Sequence, residues 1–220
     1  YKLYLLKARE DIKNEIEQKG FEKSKIKIFS ILTRLRQICC HPKLFLENYE
    51  GSSGKLELFE EILEDVLESG HRAIVFSQWT EMLRILEERI KDCGFEYFYL
   101  DGSTKSEERI DMANRFNQGE KQVFLVSLKA GGFGLNLTGA DVVILYDLWW
   151  NPAVENQAMD RAHRIGQENS VQVFRLITKN TIEERIFELQ QKKKDLFDTI
   201  IQSAQTFLTQ LSEDELMQLL

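Results

Sequence analysis

The sequence predicts an α/β fold: a doubly wound, mostly parallel sheet with helices added at both ends of the chain. Three observations carry that prediction. Short runs rich in Val, Ile, Leu, Phe and Tyr recur at 73–76, 96–100, 123–126, 142–146 and 171–177. Segments with apolar residues at threes and fours lie between them, the alternation expected of strands crossed over by helices. The strands are continuously apolar rather than alternating, as in a parallel sheet covered on both faces. With 43% hydrophobic residues and 14 Phe in 220 residues, the chain has ample material for a core, so disorder is excluded as its main state.

The elements follow in order. From Tyr1 to about Phe45 the pattern is helical, with Ile28, Ile31, Leu32, Leu35 and Ile38 on one stripe, and Pro42 closes it. Glu50-Gly51-Ser52-Ser53-Gly54 reads as a loop and a boundary. An amphipathic helix carrying Leu56, Phe59, Leu63 and Val66 ends at Gly70, and another from Trp79 to Lys91 ends at Gly94 in the position of a C-cap. Helices are expected again at 106–116 and 153–164. Beyond Ile177 the chain returns to helix, with Thr181-Ile182-Glu183-Glu184 as a capping box and Ile182, Ile186, Leu189, Leu196 and Ile200 as the buried stripe. The Lys192–Lys194 run reads as a solvated face, and the stretch from Leu208 to Leu220 as an acidic amphipathic helix at a true terminus. The expected domains are therefore 1–50 as a helical lead-in, 51–180 as the α/β domain and 181–220 as a helical extension.

Charge and cysteine usage narrow the function. Lys and Arg number 29 against 36 Asp and Glu, a net charge of −7, which taken as a sum argues against nucleic acid. The acids crowd the helices, however, while the loops after the strands hold Lys105, Lys129, Arg161 and Arg164 with few acids. Three cysteines, an odd and low number, argue against a disulfide framework, and no apolar run or leader pattern indicates a membrane. Cys39-Cys40-His41 lacks metal-ligand spacing and reads as core thiols in a helix.

Four stretches carry chemistry. In Gln157…Asp160-Arg161-Ala-His-Arg164-Ile-Gly166-Gln167, a helix would place Gln157, Arg161 and Arg164 on one face. Two guanidiniums side by side are costly unless an anion sits opposite, and a nucleotide γ-phosphate suits their paired donors. The plainer alternative is a surface helix with Asp160 paired to Arg164. Ser127-Leu-Lys129-Ala-Gly131-Gly132-Phe-Gly134-Leu-Asn136 follows a strand, where backbone N–H groups at glycines can approach phosphate; the plainer alternative is a flexible connector. A dinucleotide fingerprint fails there because Leu137 stands at its third glycine. Asp101-Gly102-Ser103-Thr104-Lys105 sets hydroxyls and a lysine at a helix start, suited to a DNA phosphate or merely to capping. Trp149-Trp150 cannot both face one core, so at least one belongs at an edge, an interface or a ligand, the alternative being that both are partly buried by the neighbouring helix. No G-x-x-x-x-G-K-[ST] loop and no acidic metal-binding motif of the kind that accompanies it occurs in the chain.

In this order, Arg72-Ala-Ile-Val-Phe-Ser-Gln-Trp, Tyr99-Leu-Asp-Gly-Ser-Thr, the glycine-rich stretch from Ser127, Asp147…Trp150-Asn-Pro and Asp160-Arg-Ala-His-Arg-Ile-Gly-Gln closely resemble the Swi/Snf family. These are DNA-dependent ATPases of helicase superfamily two, the chromatin-remodeller type. The resemblance covers Lys55 to Ile177, and Leu35-Arg-Gln-Ile-Cys-Cys-His-Pro is similar to the family's entry into its second lobe. It implies the C-terminal RecA-like lobe, of P-loop NTPase type, in a two-lobed motor. The phosphate loop and acidic motif would lie in an N-terminal lobe in cis, before Tyr1, a non-Met start that reads as a cut within a larger protein. The resemblance further implies that Arg161 and Arg164 act as arginine fingers with Gln157 beside them. Gly134, Asn136 and Asp160 would line the same ATP cleft. Gly102, Ser103, Thr104, Lys105, Ser127, Lys129, Gly131 and Gly132 would track the backbone of double-stranded DNA, with Trp150 beside one strand. ATP and Mg2+ would be bound mainly by the absent lobe, leaving the isolated chain inactive. The substrates would be protein–DNA complexes, shifted or stripped by translocation without strand separation. An RNA or DNA helicase lobe of the same superfamily, or a non-catalytic DNA-binding scaffold, are the alternatives. A short core without long insertions leans towards a bacterial or archaeal source: cytoplasmic and nucleoid-associated if prokaryotic, nuclear if eukaryotic.

Overall fold

The computed structural model describes residues 1–128, 134–164, 167, 169–192 and 211–220. Lys129, Gly131, Gly132, Gly166, Lys193, Lys194, Leu196, Ile200 and Leu208, to which the sequence assigns roles, lie outside the described residues. The chain divides into two compact units, Gly54–Leu176 and Tyr1–Ser53 with Ile177–Leu220.

The first unit holds α3 (Gly54–Glu68), β1 (Ala73–Ser77), α4 (Thr80–Asp92), β2 (Tyr97–Leu100), α5 (Ser106–Asn117), β3 (Val123–Ser127), β4 (Val142–Leu145), α6 (Pro152–Met159) and β5 (Gln172–Arg175). Its sheet has five strands in the order β2-β3-β1-β4-β5. All four pairings are parallel, with Val75 opposite Leu125 and Ile144. β1, β3 and β4 are buried along their whole length, as their apolar runs require. β5 departs from the expected covered strand. Among the described residues it pairs on one side only, and Gln172, Val173 and Arg175 are exposed, because an edge strand carrying polar residues loses little by facing water. Phe98, Phe116 and Phe124 pack with Ile74, Phe76, Val126 and Leu145 in one cluster, the Phe116 and Phe124 rings 5.2 Å apart. Gly94, at φ +77 just after the C-cap Cys93, ends α4 in a left-handed turn. A side chain there would be strained by about 1 kcal/mol.

The second unit holds α1 (Lys2–Lys19), α2 (Phe21–Cys40), α7 (Ile182–Lys192) and α8 (Glu213–Gln218). Gly20, at φ +79, separates α1 from α2, and α2 stops at an extended His41 before Pro42. Ile12, Ile28, Leu32, Leu35, Cys39, Cys40, Ile182 and Ile186 are buried, so the two adjacent cysteines are core thiols. The Tyr1 hydroxyl accepts the Ile182 N–H at 2.7 Å, and burial pushes that phenol up to about 12. The capping box expected at Thr181 forms differently: Thr181 Oγ1 accepts the Glu183 N–H, while Glu184 reaches the Asn180 N–H instead of that of Thr181. The reciprocal arrangement occurs at Ser212 and Glu215, inside the acidic stretch near the C-terminus.

Candidate functional site

All five strands are parallel, so the segments that follow β1, β2, β3 and β4 emerge at one edge of the sheet, where open α/β folds bind ligands. From β1 the chain runs to β2 on one flank, and from β4 to β5 on the other, so β1 and β4 flank the point where the winding reverses. A buried carboxylate, Asp147, occupies that point at 1% exposure. The Ser77 hydroxyl donates to it, as do the Gln78 backbone N–H at 3.2 Å and the Gln78 side-chain amide at 2.7 Å. Glu155, on α6, takes the Trp149 N–H at 2.7 Å and faces Arg175 at 3.3 Å. Burial outweighs those favourable partners and pushes its carboxyl up to about 7. Together these groups tie the β4–α6 segment to β1 and β5.

Asn151 caps α6 by accepting the Ala153 N–H, with Pro152 in the first turn. The helix ends at Met159, short of the expected Arg164, and Asp160 is its C-cap. Helix-type bonds continue past that cap, from the Asp160 N–H to the Asn156 carbonyl at 2.9 Å and from the His163 N–H to the Met159 carbonyl at 3.1 Å, so the chain leaves the helix through a tightened turn. Gln157 is exposed on α6, and Arg161 and Arg164 belong to the turn beyond. Backbone bonding sets that turn. The Leu137 N–H donates to the Arg161 carbonyl at 2.9 Å, and Arg164 donates to the carbonyls of Asp160 at 3.1 Å and Gly134 at 3.3 Å. Arg164 thus meets the backbone oxygen of Asp160 rather than its carboxylate. Asn136 joins the same segment through its carbonyl, which accepts from Asn117. Gln167 holds the far side, donating to the carbonyls of Thr138 and Ala140.

Arg161 is unlike its neighbours. It is 7% exposed, and its Nε has no hydrogen-bond partner among the described residues. Burial, followed by the Arg164 charge, lowers its pKa, against a smaller pull from Asp160. A buried donor left without a partner costs about 1–3 kcal/mol.

The segment after β2 has the opposite character. Asp101 accepts both the Ser103 N–H at 2.8 Å and the Ser103 hydroxyl at 2.6 Å, and these bonds hold its pKa below the usual carboxylate value. Thr104 Oγ1 accepts the Asp101 N–H. Gly102, Ser103 and Lys105 are exposed on the outer side.

Two sequence expectations are corrected. Trp150 is buried at 4% exposure, so its ring is part of the interior rather than a DNA-facing surface; Trp149 is only partly buried. Ser127 is buried as the last residue of β3, where its register partner is Ser77, leaving no outward hydroxyl. Sequence reasoning assigns no site role to Asp147, Glu155, Gln167 or Arg109. Asp147 and Gln167 do fall inside motif stretches, and Arg109 carries a local signal of its own: a cation in the first turns of an acidic helix start opposes the helix dipole and asks for another reason.

Among the described residues no helix is long and apolar enough to cross a membrane. Residues 54–166 match the family described as helicase conserved C-terminal domain. A SWI/SNF-related matrix-associated actin-dependent regulator of chromatin, subfamily A member 1, from Mus musculus is 44% identical over 212 residues, 89% of this chain and 20% of that protein. The chain thus spans about a fifth of that relative's length. Among solved structures, the Sulfolobus solfataricus SWI2/SNF2 ATPase C-terminal domain is 35% identical, with a TM-score of 0.77 over 96% of this chain and 89% of that one. The SWI2/SNF2 ATPase core of the same organism, in complex with dsDNA, is also 35% identical, with a TM-score of 0.80 over 99% of this chain and 46% of that one. The parallel sheet, its motif-bearing edge and these likenesses lead to one assignment: the chain belongs to the helicase conserved C-terminal domain family, as a RecA-like lobe of the Swi/Snf type.

Proposed function

We propose that this lobe is the C-terminal half of an ATP-dependent translocase on double-stranded DNA, which remodels or displaces protein–DNA complexes. In this reading residues 51–180 form the working domain, with 1–50 leading into it and 181–220 extending it. One observation carries the reading: the buried Arg161 guanidinium, with an unpartnered Nε, beside Arg164 at the ligand-binding edge of the sheet. Such a pair fits the triphosphate of ATP held, together with Mg2+, by an N-terminal lobe in cis. There Arg161 and Arg164 would present forked donors to phosphoryl oxygens, with Gly134, Asn136 and Asp160 around them and Gln157 nearby. An arginine supplied across an interface in this way is worth ~10³–10⁵ in rate. ATP supplies the driving free energy when bound; the chain's own residues orient and neutralise. The exposed Gly102, the remaining capacity of the Ser103 hydroxyl and the Lys105 ammonium suit a phosphate backbone, a grip independent of sequence. The DNA-bound structure of a 35% identical core supports that partner.

The test uses the intact protein. Arg161→Ala should abolish DNA-stimulated ATP turnover while changing duplex affinity by no more than about twofold. Turnover at the normal rate would remove the finger role. In a triplex-displacement assay the intact protein should dislodge the third strand without opening a forked duplex; efficient unwinding would favour a helicase instead. The 220-residue chain alone should not turn over ATP appreciably.

A further inference from the structure

The 101–105 loop is held from beneath by Arg109. This arginine lies on α5 and is 7% exposed. Its Nε donates to the Thr104 carbonyl at 2.7 Å, and one Nη donates to the carbonyls of Gly102 at 3.2 Å and Asp101 at 3.4 Å. Those carbonyls are thereby turned inward. Asp101 pins the Ser103 amide and hydroxyl, and Thr104 pins the Asp101 amide. What is left at the surface is Gly102, the remaining capacity of the Ser103 hydroxyl, and Lys105. A side chain placed near the start of a helix against the dipole, buried, and spent on three loop carbonyls is an unusual use of a cation. The same α5 start already carries Glu107 and Glu108, which suit the dipole.

We propose that Arg109 is a positioning residue, which pre-forms the 101–105 loop for duplex backbone phosphate through its bonds to Asp101, Gly102 and Thr104. The proposal rests on the DNA-tracking role assigned to that loop above. Its consequence is specific: without Arg109 the loop samples other conformations and must be ordered on binding. DNA dependence then weakens, while chemistry at the arginine turn proceeds once DNA is saturating.

The test measures ATP turnover of the intact protein against duplex concentration, for the parent, Arg109→Gln, Arg109→Lys and Lys105→Gln. Amide hydrogen exchange over residues 102–105 is followed without DNA. Arg109→Gln should raise the half-saturating duplex concentration about five- to twentyfold. Its turnover at saturation should stay within about twofold of the parent, and the loop amides should exchange faster. Arg109→Lys, which keeps one donor group but not the fork, should recover part of both effects. If Lys105→Gln weakens DNA dependence and Arg109→Gln does not, the loop grips DNA but Arg109 does not position it. If neither variant shifts DNA dependence, the DNA role of the loop itself is overturned. A loss of maximal turnover with unchanged DNA dependence also overturns the proposal. Should Arg109→Gln fail to fold, Arg109→Lys decides: unchanged loop exchange and unchanged DNA dependence together would sink it.

Discussion

The 101–105 loop and the 161–164 turn stand at the same edge of one sheet and solve opposite problems. In the loop, the buried cation Arg109 is shared among three carbonyls, and the buried anion Asp101 is held below its usual pKa by Ser103. In the turn, the buried cation Arg161 has an unpartnered Nε, and Glu155 on the helix leading to it is pushed up to about 7 by burial. The first arrangement satisfies its buried charges within the loop. The second leaves the Arg161 Nε without a partner among the described residues. Under the proposed function the first suits a grip on backbone phosphate, and the second a site completed by the phosphates of a bound nucleotide.

The sharpest way to break this comparison is to remove each arginine and read both activity and stability. Arg161→Ala should cost the intact protein about 10³-fold or more in turnover, the largest effect expected. In thermal or urea unfolding of the lobe, the same change should be neutral or mildly stabilising, because a buried donor without a partner is relieved. Arg109→Ala should do the reverse, destabilising the lobe by about 2–4 kcal/mol through the loss of its bonds to three loop carbonyls while sparing maximal turnover. Equal destabilisation by the two substitutions would erase the distinction between a complete and an incomplete site.

Glu155 sharpens the same contrast through pH. Its folded pKa, about 7, lies above the unfolded value of 4.5, so the folded state holds its proton more tightly. The lobe therefore gains stability as pH falls through 7 towards 4.5, and bears the full cost of the buried charge above 7. Across that window the gain attributable to Glu155 is about 3 kcal/mol at most. Glu155→Gln cannot ionise and should lose this dependence, so the stability gap between parent and variant should change by about 2–3 kcal/mol between pH 8 and pH 5. Parallel stability curves for the two proteins would show that Glu155 is not the group responsible.

The strands, the helices between them and the site-bearing edge were legible in the sequence because apolar runs and Gly or Pro punctuation report local geometry directly. Gly94 and Pro42 are cases in point, each marking a helix end where the backbone does stop. The turn at Arg161 was not legible: periodicity in 153–164 continues a helix, while the structure ends it at Met159, and Leu137 takes the Arg161 carbonyl. A bond to a residue more than twenty positions upstream leaves no local trace. Trp150 and Ser127 were misplaced for a related reason. Their residue types suit a surface role, and only the packing of β3 and the β4–α6 segment decides that they face inward. Arg109 was readable in part, since its position against the helix dipole is a local anomaly, but its three partners are fixed by the path of the loop.

The smallest effect tests the grip itself. If the 101–105 loop holds backbone phosphate, Lys105 contributes one screened charge interaction on an exposed surface. Lys105→Gln should then weaken duplex binding only a few-fold at low salt. It should also flatten the plot of log affinity against log salt, by about one unit for the single phosphate it no longer neutralises. Arg164→Gln alters the charge at the other site and should leave that slope unchanged, whatever it does to turnover. Because net charge falls by the same amount in both variants, a change in slope confined to Lys105→Gln separates local phosphate binding from the overall field of an acidic chain. A slope that shifts equally for both would mean that the lobe attracts DNA diffusely, and that the contrast between a gripping loop and a charge-starved turn does not extend to DNA.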